Sequence, residues 1–174
     1  MFGEFCARIW TVLRVVVTLA ALAFAMSLPI IARAGDPVIK FATDDPVMSS
    51  AIGQARASLP AFLDRVADPE AEMEYPVLKI AYTTLTGDGE HVWVDRLSIG
   101  LDGTLSGHIA NDPVNLPQIR LYDRVEIDLS RVSDWGYTQD GLLHGYYTLR
   151  AMLPHLPAAD AAVYRAVLAP LPSS

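Results

Sequence analysis

A histidine and a tryptophan lie two residues apart in one short stretch of the sequence, and this spacing would place them on the same face of a strand. In the run from Glu90 to Asp95, valines occupy the positions next to Trp93, and side chains two residues apart share a face of a β-strand. If the valines face the core, His91 and Trp93 face outward, and a tryptophan beside an imidazole is typical of a ligand-binding surface. The alternative is that a helix covers this face, which would make Trp93 an ordinary core residue.

A second aromatic stretch, residues 133–150, is predicted to form a hairpin. Its Asp-Gly pair at positions 140–141 favours the positive φ angles of a two-residue hairpin turn. Trp135 and Tyr137 would share one face of the strand before the turn, and Tyr147 would lie on the strand after it. The stretch therefore predicts a dense aromatic patch with polar groups at its margin.

Polar residues at the ends of these strands complete a predicted binding cleft. We expect Asp134 and Arg150 to form a charge-assisted pair at the rim of a cleft floored by Trp93 and Trp135. The alternative is that this pair only links the two strands of the hairpin. Asn111 is expected either to form an Asn-Asp-Pro turn or to bracket the nearby backbone by hydrogen bonds. The candidate cleft comprises His91, Trp93, Asn111, Asp134, Trp135, Tyr147 and Arg150.

Catalytic chemistry has weaker support in the sequence. A hydrolase-like reaction would depend on His91 and Asp134. The sequence contains no nucleophile elbow, Gly-rich phosphate loop or paired-carboxylate motif. The four histidines, which are His91, His108, His144 and His155, have none of the close spacings of a zinc site. We therefore assign no catalytic residue, no metal ligand and no cofactor.

Residues 1–34 have the pattern of a secretory signal peptide. Two arginines precede an apolar run, residues 15–31, and a small-x-small end follows it. Cleavage after Ala34 would place the mature protein in the periplasm or outside the cell, with no membrane contact beyond the leader. The alternative is an uncleaved segment that anchors the protein in the membrane, although the run is slightly short for a span of about 20 residues and Pro29 interrupts it.

Charge and cysteine content exclude some function classes. The chain of 174 residues has a formal net charge of −7, and its single cysteine, Cys6, lies in the leader. The mature protein is therefore expected to have neither a disulfide nor a thiol nucleophile. Because phosphate contacts require Lys and Arg, a domain this acidic is not expected to bind nucleic acid. The acidity either keeps the domain soluble or fits it to a basic partner.

Periodicity predicts a helix near the start of the mature chain. Residues 35–48 resemble a flexible tether with two Asp-Pro turns. Ser49 or Ser50 would then cap an amphipathic helix, which Pro60 would kink or restart. The apolar positions at helical spacing are Ile52, Ala55, Leu59, Phe62, Leu63 and Val66.

The remaining sequence predicts a sheet and a second helix. From Val77 the apolar period changes to two, and short turns separate six strands, which favours antiparallel pairing. Residues 158–168 predict a helix with Val163 turned inward. The expected fold is α+β: a small, strongly bent antiparallel sheet or open barrel, with an N-terminal and a C-terminal helix packed on it. We expect a single domain over residues 49–170.

Several of these segments together resemble the YegJ-like family, the domain of unknown function numbered 2314. The match covers residues 50–156, and two positions depart from its pattern, since the family usually has Gly at the positions of Tyr122 and Tyr146. The resemblance implies a small, often exported bacterial domain with no established activity. The matching segments are Glu90 to Val94, Gly107 to Pro113, Asp123 to Val125, Ser133 to Tyr137, Asp140-Gly141 and Gly145 to Arg150.

The function that we expect is a non-enzymatic binding or interaction module outside the cytoplasm. Its partner would be an unknown protein or small ligand. The alternatives are the hydrolase-like enzyme that uses His91 and Asp134, and an acidic, inhibitor-type partner of a basic secreted protein.

The leader generates the first testable prediction. Because the apolar run ends in a cleavage pattern at Ala34, N-terminal sequencing of the exported protein should give a chain that begins at Gly35. A membrane-associated protein that still begins near Met1 would show that the segment is not cleaved.

Overall fold

A computed structural model describes residues 45–171. The predicted leader, and the predicted tether up to residue 44, lie outside the described residues. The described residues form an α+β fold, in which one six-stranded antiparallel sheet is accompanied by helices before and after it in the chain. Within residues 45–171, no helix is both long and apolar enough to cross a membrane.

The first helix, α1, spans Pro46–Ala67 and begins earlier than its predicted serine cap. The Asp45 carboxylate accepts the backbone N–H groups of Val47 and Met48, each at 2.9 Å. Proline suits the first helical position, where an N–H would have no partner within the helix. The last three residues of the predicted tether therefore form the first turn of α1.

One face of α1 is buried, as its spacing predicts. Ala51, Ala55, Leu59 and Phe62 follow one another at steps of three and four residues and are at most 7% exposed. Pro60 lies on the exposed side, and the helix continues through it without a restart. The missing N–H of a proline removes one internal hydrogen bond, and packing of the buried face offsets this loss.

The sheet is open and has the strand order β4-β3-β2-β1-β5-β6, with antiparallel neighbours throughout. Register shifts interrupt the β1–β5 and β2–β3 pairings, and such bulges increase local twist and bend a strand. The strands are β1 (Glu74–Thr83), β2 (Gly89–Ile99), β3 (Leu105–Ile109), β4 (Arg124–Glu126), β5 (Val132–Gln139) and β6 (Leu142–Gly145).

The strand register defines two faces of the sheet. Leu78 lies opposite Trp135, and both are buried on the face that packs against α1, which we call the core face. The next residue, Lys79, lies opposite Trp93 on one side and Asp134 on the other. These three residues are on the other face, which we call the open face. The two tryptophans therefore lie on opposite faces and cannot floor one cleft.

The aromatic patch of the predicted hairpin is part of the core. The Trp135 ring stacks on Phe62 with 4.9 Å between centroids, and Tyr137 lies nearly parallel to Trp135 at 6.2 Å. The indole Nε1–H of Trp135 donates to the backbone carbonyl of Ala55 at 2.9 Å. Trp135 and Tyr137 share a face as predicted, and this face packs on α1.

The chain leaves the sheet soon after the hairpin turn. Asp140 and Gly141 have the predicted positive φ angles of 52° and 73°. The placement of Tyr147 on a strand is wrong, because helix α2 spans Tyr147–Met152. Gly145 and Tyr146 both have positive φ, at 80° and 52°, and this left-handed pair directs the backbone out of the sheet.

A last helix, α3, spans Ala158–Val167 close to the predicted range. It buries Ala161, whereas Val163 is 65% exposed, so the predicted inward orientation of Val163 is wrong. After α3, the chain makes a parallel bridge between Leu168 and Leu143 in β6.

Tyr122 and Tyr146, the two positions where the family resemblance implies glycine, both have left-handed backbone. Their φ angles are 72° and 52°. A side chain in this region brings Cβ close to a carbonyl oxygen, which costs about 1–2 kcal/mol.

The strain at Tyr122 generates the second prediction. Tyr122→Gly and Tyr122→Ala both remove the ring, whose centroid lies 5.5 Å from the Arg96 guanidinium carbon, but only glycine relieves the backbone. We expect the glycine variant to be more stable than the alanine variant by about 1 kcal/mol in urea denaturation. Arg120 serves as the control, because it is an exposed loop residue without a positive φ angle. At this position the glycine variant should not be more stable than the alanine variant. If the alanine variant at position 122 is as stable as the glycine variant, the backbone of Tyr122 is not strained.

Candidate functional site

Asp134 is fully buried and holds the N-terminus of α2. Its Oδ1 accepts the backbone N–H groups of Trp135 at 2.8 Å and Tyr147 at 3.0 Å. Its Oδ2 accepts the N–H of Thr148 at 2.8 Å and the hydroxyl of the same residue at 2.6 Å. The first amides of a helix have no partner within the helix and favour a negative charge. Asp134 therefore works as the cap of α2, supplied from a neighbouring strand.

The electrostatics of Asp134 reflect this position. Burial raises the pKa of the Asp134 carboxyl, and the hydrogen bonds from Thr148 and the charge of Lys79 act in the opposite direction. Both oxygens are directed at α2 and at the β5 backbone, and the residue is 0% exposed. Solvent and substrate cannot reach this carboxyl.

Arg150 does not pair with Asp134 among the described residues, so the predicted charge-assisted pair is wrong. Its Nε donates to the carbonyl of Gly145 at 2.8 Å, and its Nη2 donates to the carbonyl of Ala169 at 2.7 Å. The helical path of α2 accounts for the difference, because the α2 amides take the carboxylate that Arg150 was expected to bind. Arg150 instead links the end of β6 to the chain after α3.

His91 contacts Ser133 rather than Asp134. The His91 Nδ1 lies 2.7 Å from the Ser133 hydroxyl oxygen, and that hydroxyl donates to the carbonyl of Lys79 at 3.1 Å. A hydroxyl has one proton, so Ser133 satisfies both contacts only if His91 Nδ1 carries a proton and donates it. We therefore assign neutral His91 as the Nδ1–H tautomer, with Nε2 as an acceptor.

This arrangement does not form a nucleophilic dyad. Activation of Ser133 would require its proton to point at the imidazole, whereas that proton is directed at a backbone carbonyl. Ser133 is also 1% exposed. The predicted His91–Asp134 chemistry has no accessible nucleophile and no accessible carboxylate in this arrangement.

Trp93 lies at the centre of the open face, among aromatic and cationic neighbours. The Lys79 Nζ is 4.9 Å from the centre of the Trp93 ring, and the Tyr146 ring packs against it with 5.5 Å between centroids. His91 is exposed, Trp93 and Tyr146 are partly exposed, and Lys79 is buried beneath them. We call Lys79, His91, Trp93 and Tyr146 the Trp93 platform.

Two neighbouring residues, Asn111 and Gly136, hold this platform in place. The Asn111 Oδ1 accepts the N–H of Trp93 at 2.7 Å, so Asn111 forms the predicted hydrogen-bonding bracket. Gly136 lies beneath the Tyr146 ring, and a Cβ at this position would come within 2.6 Å of ring atoms Cδ2 and Cζ. Only glycine leaves room for Tyr146 to reach Trp93.

The seven residues of the predicted cleft do not converge. His91, Trp93 and Asp134 share the open face, and Asn111 lies beside it. Trp135 and Tyr147 pack in the core, where their rings meet edge to face at 5.5 Å, and Arg150 lies elsewhere. Sequence reasoning missed Lys79 and Tyr146. A lysine within an apolar strand was a usable signal, whereas nothing in the sequence pairs Tyr146 with Trp93.

No cluster of metal-ligating side chains occurs within residues 45–171.

Comparisons of the sequence with known proteins assign the chain to one family. The family described as "Uncharacterized protein conserved in bacteria (DUF2314)" matches residues 45–168. The chain is similar to the uncharacterized protein YegJ of Escherichia coli (strain K12), with 27% identity over 136 residues, 76% of this chain and 84% of that protein. No solved structure matches the chain significantly.

The environment of His91 generates a pH prediction. Partial desolvation of the ring, whose Nδ1 side packs against Ser133, lowers the pKa of His91, and the charges of Lys79 and Arg56 lower it further. The unfolded chain therefore binds a proton at a higher pH than the folded protein does, and the stabilisation from neutral His91 is lost as the pH falls below about 6.5. Between about pH 7.5 and about pH 5.5, we expect the unfolding free energy of the His91→Gln variant to fall less than that of the wild type.

Ser133→Ala provides the control for this measurement. It removes the partner of His91 but keeps the titrating group, so it should lower stability at every pH and retain the decrease. An identical pH dependence in wild type and His91→Gln, measured by urea denaturation, would contradict the assignment.

Proposed function

Because the chain belongs to the DUF2314 family, which is uncharacterised and carries no known activity, we propose a function from the geometry: a non-enzymatic binding module that uses the Trp93 platform. We further propose that it works in the periplasm or outside the cell, and this part rests on the sequence of the leader.

The left-handed backbone of Tyr146 is the observation that carries the proposal. This residue has a φ of 52° and packs its ring against Trp93. A residue held in a sparsely populated conformation costs about 1–3 kcal/mol, and such residues cluster at functional sites. Gly136 and Asn111 hold the same two aromatic residues in place. The result is a preorganised surface, which lowers the entropic cost of binding.

The charges around the platform indicate the kind of ligand. The two charged groups that act on His91 are Lys79 and Arg56, and both are cationic. The whole chain is acidic, with a net charge of −7, so these two cations differ in sign from the chain as a whole. An aromatic surface with nearby cations fits a partner that presents an anionic group beside an apolar or ring-shaped part.

The two alternatives fit the site less well. An inhibitor of a basic secreted protein would need an acidic contact surface, whereas the charged groups that act on His91 are the cations Lys79 and Arg56. A hydrolase would need an accessible nucleophile and carboxylate, and Ser133 and Asp134 are at most 1% exposed.

The test is a double substitution, His91→Gln with Trp93→Ala. We expect the variant to remain folded and to recover at least about tenfold less of its partner in a pull-down from the native extracytoplasmic fraction, since loss of an aromatic anchor costs about 2 kcal/mol or more. The control combines Tyr75→Ala with Leu85→Ala, two side chains that are 77% and 86% exposed elsewhere, and should recover the partner in full.

Two outcomes would reject the proposal. A double variant that unfolds, judged by circular dichroism and thermal melting, would show that the platform belongs to the core. A folded variant that keeps every partner would place the binding surface elsewhere.

A further inference from the structure

A second concave site, separate from the Trp93 platform, lies between the start of α1, helix α2 and the chain after α3. Its volume is about 400 Å³, and the site is an open depression, not an enclosed cavity. The apolar part of its lining includes Val47, Ala151 and Leu171, and the polar part includes Ser50, Gln54 and Arg150.

Arg150 is the single charged side chain in the lining of this pocket. The carbonyls of Gly145 and Ala169 hold its guanidinium through Nε and Nη2. Arginine has five N–H donors, and the Nη1 group makes no hydrogen bond to any residue in the range 45–171. The structure therefore fixes the cation in position and leaves donors for a ligand.

Burial supports this reading of Arg150. The residue is partly buried, and this burial lowers the pKa of its guanidinium, because desolvation disfavours the charged form. A bound anion would offset that cost. The nearest helix terminus adds no second binding group, since the Asp45 carboxylate already occupies the free amides of Val47 and Met48.

We propose that this pocket binds a small monocarboxylate with an apolar tail. The carboxylate would accept hydrogen bonds from Arg150, whose planar guanidinium matches two carboxylate oxygens. The tail would lie along Val47, Ala151 and Leu171. Because Arg150 is the single cation in the lining of the pocket, a single negative charge is favoured over a doubly charged phosphate.

Octanoate is a suitable probe, because it combines one carboxylate with an unbranched apolar tail. We expect isothermal titration calorimetry to show one octanoate site per protein, with protein purified after expression of the full-length chain. Octylamine and 1-octanol, which have the same tail without the carboxylate, should bind at least tenfold more weakly. Absence of octanoate binding, or equal binding of the three compounds, would overturn the proposal.

Two variants locate the site. Arg150→Gln should weaken octanoate binding at least tenfold, but it also removes the links to Gly145 and Ala169 and can destabilise the fold. Ala151→Leu fills the pocket and keeps Arg150, and it should weaken binding to a similar extent while the melting temperature is retained. Ala162→Leu, on an exposed position of α3, is the matched control and should bind as wild type does.

A third variant separates this site from the proposed function. Trp93→Ala should leave octanoate binding unchanged, because Trp93 does not line the pocket. If Ala151→Leu binds octanoate as tightly as wild type, the pocket is not the site and the inference is wrong, whatever the platform binds.

Discussion

The carboxylate of Asp134 is the constraint on which the rest of this structure depends. A buried carboxylate costs several kcal/mol unless hydrogen bonds and nearby charge compensate it. Here three backbone amides and one hydroxyl donate to its two oxygens. Two of those amides, from Tyr147 and Thr148, begin α2. The strand β6 therefore stops after four residues, and the chain turns through Tyr146 into a helix whose first amides lie on Asp134.

Both candidate binding surfaces follow from this anchor. The Thr148 hydroxyl donates to Asp134 and lies 3.4 Å from the Lys79 Nζ, so the anchor connects to the cation beneath Trp93. Tyr146, directly before the anchored amides, places its ring on the platform. Arg150 follows on the same short helix and reaches the pocket on the other side. Loss of Asp134 would leave several buried donors without an acceptor, and each buried donor left unsatisfied typically costs about 1–3 kcal/mol.

Local patterns in the sequence predicted much of the fold, because they report on short-range physics. Alternation along β2 buried the valines on either side of Trp93, and Asp140-Gly141 formed the expected turn. The patterns failed where a distant group decided the outcome. The aromatic sequence around Tyr147 suits a strand, but a carboxylate thirteen residues away captures its amide. Of the residues expected to share a cleft, His91 and Trp93 lie on one face of the sheet with Asn111 beside them, whereas Trp135 and Arg150 belong to other environments.

Amide hydrogen exchange measured by NMR tests the role of Asp134 most directly. The first amides of a helix normally exchange fast, because they have no partner within the helix. We expect the Tyr147 and Thr148 amides to exchange as slowly as those of the central strand β1, since a buried carboxylate holds them. The Val47 and Met48 amides, which the more exposed Asp45 caps in α1, should exchange far faster. Exchange of Tyr147 and Thr148 at the rate of Val47 would contradict the account.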